Sequence, residues 1–307
     1  MSEVILKRFF HLIFVIFCVS SLVFLMQRLI PGNPADFVLG ADASEQHKND
    51  WLQSYGLDKS MVHQYGTFLK NLFFFDFGKT YSSQVNVSSI LLPRLINTIS
   101  LALFAFLFSM TLGLIFGTLS AAFEGKGIDN FVAVLSILAI SLPSFIIGPI
   151  LLWIFSVNLN LLPLMGNQDG MSSFILPGLT LGLPLAAYTI RMVRSGVVDV
   201  LNEDYIRTAY SKGLKKIKIY FKHALRNACI PTLTILGLQL GVLLSGTIIT
   251  EAIFNWPGLG SLIVEAIQQR EYNLVSGCVI IVSFIYVFSN FLVDIFYRIL
   301  DPRVRVD

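Results

Sequence analysis

Few side chains in this sequence are placed to make or break a covalent bond. His11, His47, His63 and His223 lie too far apart along the chain for local metal ligation, and neither H-E-x-x-H nor G-x-S-x-G occurs. Cys18, Cys229 and Cys278 have no C-x-x-C spacing and sit in or beside apolar runs, the setting of free core thiols, so the redox compartment stays open. Gly78-Lys79-Thr80 has the ending of a phosphate-binding loop. That loop needs a glycine five residues before Gly78, and position 73 is Phe. The residues therefore predict no catalytic group, no resident metal or cofactor and no nucleotide site in this chain.

What remains is docking chemistry, concentrated in 195–231. Asn202 is a potential N-cap, Glu203 and Asp204 suit the positive end of a helix dipole, and Gly213 suits a helix end. This predicts a short helix over Glu203–Lys212 with Tyr205, Ile206, Ala209 and Tyr210 on one apolar face. A second, basic helix carrying Lys215, Lys216, Lys218, Lys222 and Arg226 is expected to run to Pro231. Such a pair suits a layer on anionic lipid or a platform for a protein partner, and basic charge alone does not choose between them.

The elements that position this segment follow from where the charges are missing. Of 307 residues only 13% are charged and 55% are apolar, with a mean hydropathy of +0.72; a soluble domain carries about 25% charged residues. Six windows, 9–27, 95–123, 130–168, 170–190, 227–250 and 272–293, hold no charge at all. A bilayer core of about 30 Å takes roughly 20 helical residues. The sequence thus predicts an all-α polytopic membrane protein with six transmembrane helices, near 9–30, 97–123, 129–157, 173–193, 231–253 and 275–297. A soluble enzyme, a nucleic-acid binder and an outer-membrane barrel are excluded. Nine Lys/Arg crowd 191–230, whereas 156–172 and 255–274 hold only Arg270, so both termini are expected on the cytoplasmic side. The first helix is expected to be retained, because its apolar run is long and Ile30-Pro31-Gly32-Asn33-Pro34 offers no small-x-small cleavage site.

The expected organisation is an N-terminal transmembrane helix (1–30), an extracytoplasmic helical region (31–95), a five-helix core (96–297) containing the cytoplasmic loop 195–230, and a cytoplasmic tail (298–307). Two or three short helices are expected in 31–95, where Trp51, Leu52, Tyr55, Leu57, Tyr65, Phe68, Leu69, Leu72 and Phe73 recur at helical spacing. Gly113 and Gly117 form a small-x-x-x-small pair suited to close helix approach. Pro143, Pro177, Pro184, Gly237 and Gly241 interrupt mid-membrane helices, which suits either a path lining or ordinary kinks. Arg28, Arg191, Glu251 and Asp294 all fall near helix ends, where snorkelling suffices, and no charge marks a helix centre. An ion-coupled secondary transporter would be hard to build on that pattern, so the energy for transport would come from elsewhere.

Residues 203–213, Glu-Asp-Tyr-Ile-Arg-Thr-Ala-Tyr-Ser-Lys-Gly, with His223-Ala-Leu-Arg-Asn-Ala-Cys-Ile-Pro231, resemble the cytoplasmic EAA loop of binding-protein-dependent ABC importer permeases. Leu29–Ala35, Tyr55-Gly56-Leu57-Asp58, Gln64-Tyr65, Asp76-Phe77-Gly78, Ile175–Gly182, Glu251–Gly260 and Asp301-Pro302-Arg303 extend the likeness over essentially the whole chain. They match the B-type inner-membrane subunit of the dipeptide/oligopeptide/nickel branch. Arg207, Thr208 and Ala209 stand where the general loop reads E-A-A, and Pro231 comes 18 residues after Gly213, as in the longer loop of this branch.

The resemblance implies the type I importer permease fold. It also implies a heterodimer with a C-type permease in the bacterial inner (cytoplasmic) membrane, two ATP-binding subunits and an extracytoplasmic solute-binding protein, with no nucleic acid. ATP and Mg would be bound by the partner subunits and not by this chain, which is a transport subunit and not an enzyme. The stretch Glu203–Gly213 would be the coupling helix, with Tyr205, Arg207, Ala209 and Gly213 foremost, and Asn255, Trp256, Pro257 and Gly258 would meet the binding protein. Di- or oligopeptides are the leading substrate class, with nickel or another chelated metal and glutathione-like peptides as alternatives.

Overall fold

A charge-free run of twenty residues leaves the backbone no polar partner but itself in an apolar medium, and helix is the local solution. In a computed structural model of the chain, which describes residues 2–29, 34–40 and 42–300, that solution holds throughout. The helices are α1 (Ser2–Leu29), α2 (Pro34–Leu39), α3 (Glu45–Ser54), α4 (Met61–Phe73), α5 (Val87–Ala122), α6 (Gly127–Ser141), α7 (Ser144–Leu151), α8 (Met171–Leu201), α9 (Asp204–Ser211), α10 (Lys216–Lys218), α11 (Leu225–Ile253), α12 (Leu259–Gln268) and α13 (Tyr272–Leu300). Wide π-helical turns extend α7 over Leu152–Asn158 and join α10 to α11 over Ile219–Ala224. The tail motif Asp301-Pro302-Arg303 and the segment Pro31-Gly32-Asn33 lie outside the described residues, as does the side chain of Asp294.

Among the described residues four stretches, Phe9–Leu29, Val87–Ala122, Met171–Leu201 and Tyr272–Val293, are long and apolar enough to cross a bilayer. The expected single helix 129–157 is instead a broken pair, α6 and α7, bent by 107°. Its cause is local. Proline disfavours the α conformation in the residue before it, and Leu142 is extended at φ −90°, ψ 119° ahead of Pro143, which starts α7 from an extended N-cap. The fifth expected span falls on α11, 29 residues long, many of whose side chains are not among those described. Both α5 and α8 run beyond their expected ends, α5 starting at Val87 and α8 continuing to Leu201.

The chain divides into two compact units, Met1–Asn97 with Gly258–Val287, and Thr98–Pro257 with Phe288–Asp307. In the first, three short helices occupy 34–73, and Ser44 and Ser60 cap α3 and α4 by accepting hydrogen bonds from the His47 and His63 amides. Phe24 of α1 packs against Tyr65 and Phe68 of α4, with ring centroids 5.2 and 5.5 Å apart. An apolar core joins Val87 and Leu91 of α5, Leu259, Leu262 and Ala266 of α12, and Leu274 and Cys278 of α13. The buried Glu271 carboxylate accepts the backbone N–H of Tyr81 at 2.7 Å and of Ser82 at 2.8 Å, pinning the loop before α5.

In the second unit α5 and α8 interlock through glycines on both sides. A Cβ at Gly113 would lie 2.2 Å from Thr189 Cγ2, and one at Gly117 would lie 2.7 Å from Val193 Cβ. Reciprocally, Cβ atoms at Gly178 and Gly182 would lie 2.4 Å from Phe104 and 2.9 Å from Phe108. Each helix thus supplies grooves for the other's side chains, and α8 is the partner that the Gly113/Gly117 pair admits. Leu101, Ala105, Leu181, Leu185, Leu243 and Trp256 form a core beside this seam.

One expectation about charge is corrected here. Glu251 does not snorkel. It is 0% exposed, and Thr98 Oγ1 donates to its Oε1 at 2.7 Å. A buried carboxyl is tolerable only where hydrogen bonds replace water, so α5 and the end of α11 are tied by a polar bond inside an apolar unit.

Candidate functional site

The segment expected to dock is built on one face and open on the other. Asp204–Ser211 form α9, two turns long, entered from Glu203 with extended backbone (φ −74°, ψ 147°). Asn202 is not its N-cap. It is the C-cap of α8, with its N–H on the Asp199 and Val200 carbonyls. Past Lys212 the chain leaves through Gly213 at φ +70°, and the Gly213 and Leu214 amides bond the carbonyls of Tyr210 (2.9 Å) and Ala209 (3.3 Å). This is a left-handed helix stop, which glycine adopts without the Cβ penalty that other residues meet.

Ile206 (0% exposed) and Ala209 (7%) face inward, into an apolar seat made by Ala121 of α5, Val193 and Val197 of α8, Ile219 and Ala224 of the π-helical turn, and Ala228 of α11. Burying Ile206 completely contributes about 1.5–3 kcal/mol. Tyr205 and Tyr210 flank the seat and remain partly exposed. The Asn227 amide donates to Tyr205 Oη at 2.6 Å. Partial burial and the Tyr220 hydroxyl push the Tyr210 phenol up to about 12, so it is uncharged at neutral pH. Glu203, Asp204, Arg207, Thr208, Lys212 and Gly213 are all exposed. Arg207 and Asp204 pair at 3.4 Å with side chains 76% and 96% exposed, an ion pair of the kind that adds little stability.

Two corrections follow. Ala209, expected among the foremost docking contacts, is an anchor on the chain's own core. The basic segment does not end at Pro231. It passes through the π-helical turn and continues as α11, so Lys215, Lys216, Lys218 and Lys222 sit on the continuous approach to one long helix.

Sequence reasoning missed the bracing beside this seat. Asp129, at the start of α6, accepts hydrogen bonds from Arg194 Nε (2.6 Å) and a second guanidinium nitrogen (2.7 Å), from Ser120 Oγ (2.5 Å) and from the Gly125 amide (2.9 Å). The Asp129 side chain is 5% exposed and Arg194 33%. The bidentate pair fixes the α5–α6 turn to α8, one turn before Val197 enters the α9 seat. A signal was present, since Asp129 stands directly before the charge-free window 130–168 and Arg194 lies one turn past the end of the window 170–190.

The other expected sites fare differently. Trp256 is 0% exposed and stacks edge-on against Phe174 at 4.6 Å, and Gly258 is buried. Of the four residues expected to meet a binding protein, Asn255 and Pro257 alone reach the surface of this chain. Pro143 is exposed at the break before α7, whereas Pro177 and Gly241 are buried. A Cβ at Gly237 would lie 2.6 Å from Val293 Cγ1, so that glycine admits a close helix contact.

Comparison with known proteins agrees with this architecture. Residues 109–306 match the model of the binding-protein-dependent transport system inner membrane component, and residues 1–102 match that of its N-terminal region. The chain is 36% identical over 305 residues to the glutathione transport system permease protein GsiC of Escherichia coli K12, covering 99% of both chains. It is equally similar to GsiC of Shigella dysenteriae serotype 1. Its fold resembles the inward-facing MetNI methionine ABC transporter, with a TM-score of 0.56 at 17% identity over 70% of this chain and 97% of that one. A crystal structure of an amino acid ABC transporter gives a TM-score of 0.51 at 16% identity, over 69% and 94% of the two chains. The chain belongs to the family of binding-protein-dependent ABC importer permeases, multi-pass components of the inner membrane.

Proposed function

We propose that this permease imports short peptides and that α9 is the element through which ATP-binding subunits drive it. The observation that carries the reading is the division of α9. Ile206 and Ala209 root the helix in the apolar seat shared with α8 and α11, while Asp204, Arg207 and Thr208 are exposed and bond only within α9. A force applied to the outer face is then delivered through packed side chains to two membrane helices. In this reading six spans with cytoplasmic termini would put α9 on the side where ATP is available. A C-type permease would complete the passage, two ATP-binding subunits would supply the stroke, and an extracytoplasmic binding protein would deliver the solute. ATP and Mg would sit wholly on those partners.

Short peptides are supported by relatives that match over nearly their whole length and are named for glutathione, a tripeptide. Glutathione itself is thus one of the substrates this reading allows, beside other di- and oligopeptides. The test is uptake by proteoliposomes holding the assembled importer and its co-purified binding protein. ATP-dependent accumulation of labelled di- or tripeptides, glutathione included, is expected. Accumulation of chelated nickel without any peptide would replace the peptide reading, and ATP-independent accumulation driven by an ion gradient would overturn the importer reading.

A further inference from the structure

Three consecutive phenylalanines close α4, and the chain leaves them uncovered. Phe73, Phe74 and Phe75 are each at least 68% exposed, the first two with rings edge to face at 5.5 Å. Exposed Val62, half-buried Leu69 and exposed Phe73 recur on one side of α4 at helical spacing. On another side His63, Gln64, Thr67 and Asn71 line a cavity of about 520 Å³ at Arg28. Between Lys59 and Asp76 the only Lys, Arg, Asp or Glu is Lys70. Polar and apolar sides are thus segregated, and a continuous exposed apolar side marks a contact with something other than water.

Phe75 also holds an unfavourable backbone. Its φ is +54°, in the left-handed region that bulky residues rarely enter and where a helix usually ends on glycine. Hydrogen bonds fix the turn. The Phe75 amide bonds the Leu72 carbonyl (3.0 Å), the Asp76 amide bonds that of Asn71 (2.9 Å), and Ser88 Oγ donates to the Phe75 carbonyl (3.1 Å). Strain kept at a residue whose ring the chain leaves mostly uncovered points to a task outside the chain.

Depth identifies what covers the patch. Tyr65 and Phe68 of α4 pack on Phe24 of α1, and Ser21 Oγ and Tyr65 Oη share a hydrogen bond at 2.6 Å. Ser21 and Phe24 lie inside the apolar span Phe9–Leu29, about 12 and 8 Å short of its end by helix rise. The same turns of α1 expose Leu22, Leu25, Met26 and Leu29. The helix α4 therefore lies alongside the last turns of a membrane span, where its uncovered apolar side continues the apolar surface of α1.

We propose that α4 is an interfacial helix whose Phe73-Phe74-Phe75 tip is covered by phospholipid, in the leaflet at the C-terminal end of α1. The three rings sit at the boundary between headgroups and acyl chains. This contact is independent of α9 and of the solute carried.

The test replaces Phe74 with a photoreactive phenylalanine analogue in the assembled importer, held in nanodiscs of phosphatidylethanolamine and phosphatidylglycerol. His47, exposed on α3 of the same unit, is the control position. Mass spectrometry of the irradiated chain should find phospholipid adducts at position 74 about tenfold above those at 47, as for a ring at the acyl boundary against a side chain in water. If the position-74 variant fails to assemble, the same analogue at 73 carries the comparison. Equal lipid labelling at the test and control positions would overturn the proposal. A cross-link from 74 to a partner subunit or the binding protein in place of lipid would overturn it as well.

Discussion

Gly213 offers a graded perturbation of the proposed coupling element. Its φ of +70° is left-handed, and a Cβ built there meets nothing within 4 Å. A substitution therefore encounters backbone strain without a clash, and the strain for an L-residue in this region is about 1–2 kcal/mol. That penalty lowers the population of the native helix exit by roughly 5- to 30-fold relative to its alternatives. Asparagine tolerates the left-handed region better than alanine. Proline, with φ fixed near −65°, cannot adopt the turn and also removes the Gly213 N–H that bonds Tyr210 at 2.9 Å. The assay is peptide uptake per ATP hydrolysed in proteoliposomes of the assembled importer, with the melting temperature of each variant recorded. Coupling should fall in the order wild type, Gly213→Asn, Gly213→Ala, Gly213→Pro, while the melting temperature of the first three changes little. Wild-type coupling in Gly213→Pro would show that the left-handed exit has no part in coupling. A coupling loss that merely tracked melting temperature across the series would count equally against a coupling role.

The two faces of α9 should separate by experiment. Ile206→Ala removes a fully buried side chain and should cost about 2–5 kcal/mol in thermal unfolding, whereas Arg207→Glu, on the exposed face, should leave melting unchanged and still abolish retention of ATP-binding subunits on purification. Asp129→Asn should lower stability by roughly 3 kcal/mol, and the charge swap Asp129→Arg with Arg194→Asp should fail to restore it, because Ser120 and Gly125 also donate to Asp129; paired melting curves decide this. Trp256→Ala should cost about 3–5 kcal/mol as a core deletion, with Asn255→Ala neutral for stability. Chemical denaturation of the two variants checks that Trp256 is structural.

Much of this architecture is legible in the order of residues because lipid enforces a simple grammar. A stretch without charge must be helix, so the positions of α1, α5, α8 and α13 follow from where Lys, Arg, Asp and Glu are missing. The short helix α9 was equally legible, since Ile206 and Ala209 share a face at helical spacing and Gly213 punctuates the end. What could not be read depends on partners distant in sequence. Glu251 looks like a snorkelling helix-end charge until Thr98 arrives beside it. Trp256 looks like an exposed loop aromatic until Phe174 covers it. The break at Leu142-Pro143 is written in the proline, but uniform apolar composition across 130–168 masks a bend that lowers no hydropathy. The cavity at Arg28 gathers side chains from five separate segments, and no local pattern announces it.

In the proposed assembly the outer face of α9 meets an ATP-binding subunit while its inner face stays on this chain. A photoreactive residue placed at exposed Thr208, compared with one at exposed Ile217 past the Gly213 turn, tests it within the assembled importer in membranes. Docking through α9 predicts a cross-link from position 208 to an ATP-binding subunit that changes in yield when ATP is added, and a much weaker one from 217. No cross-link from 208 to that subunit, with the importer intact and transporting, would contradict it.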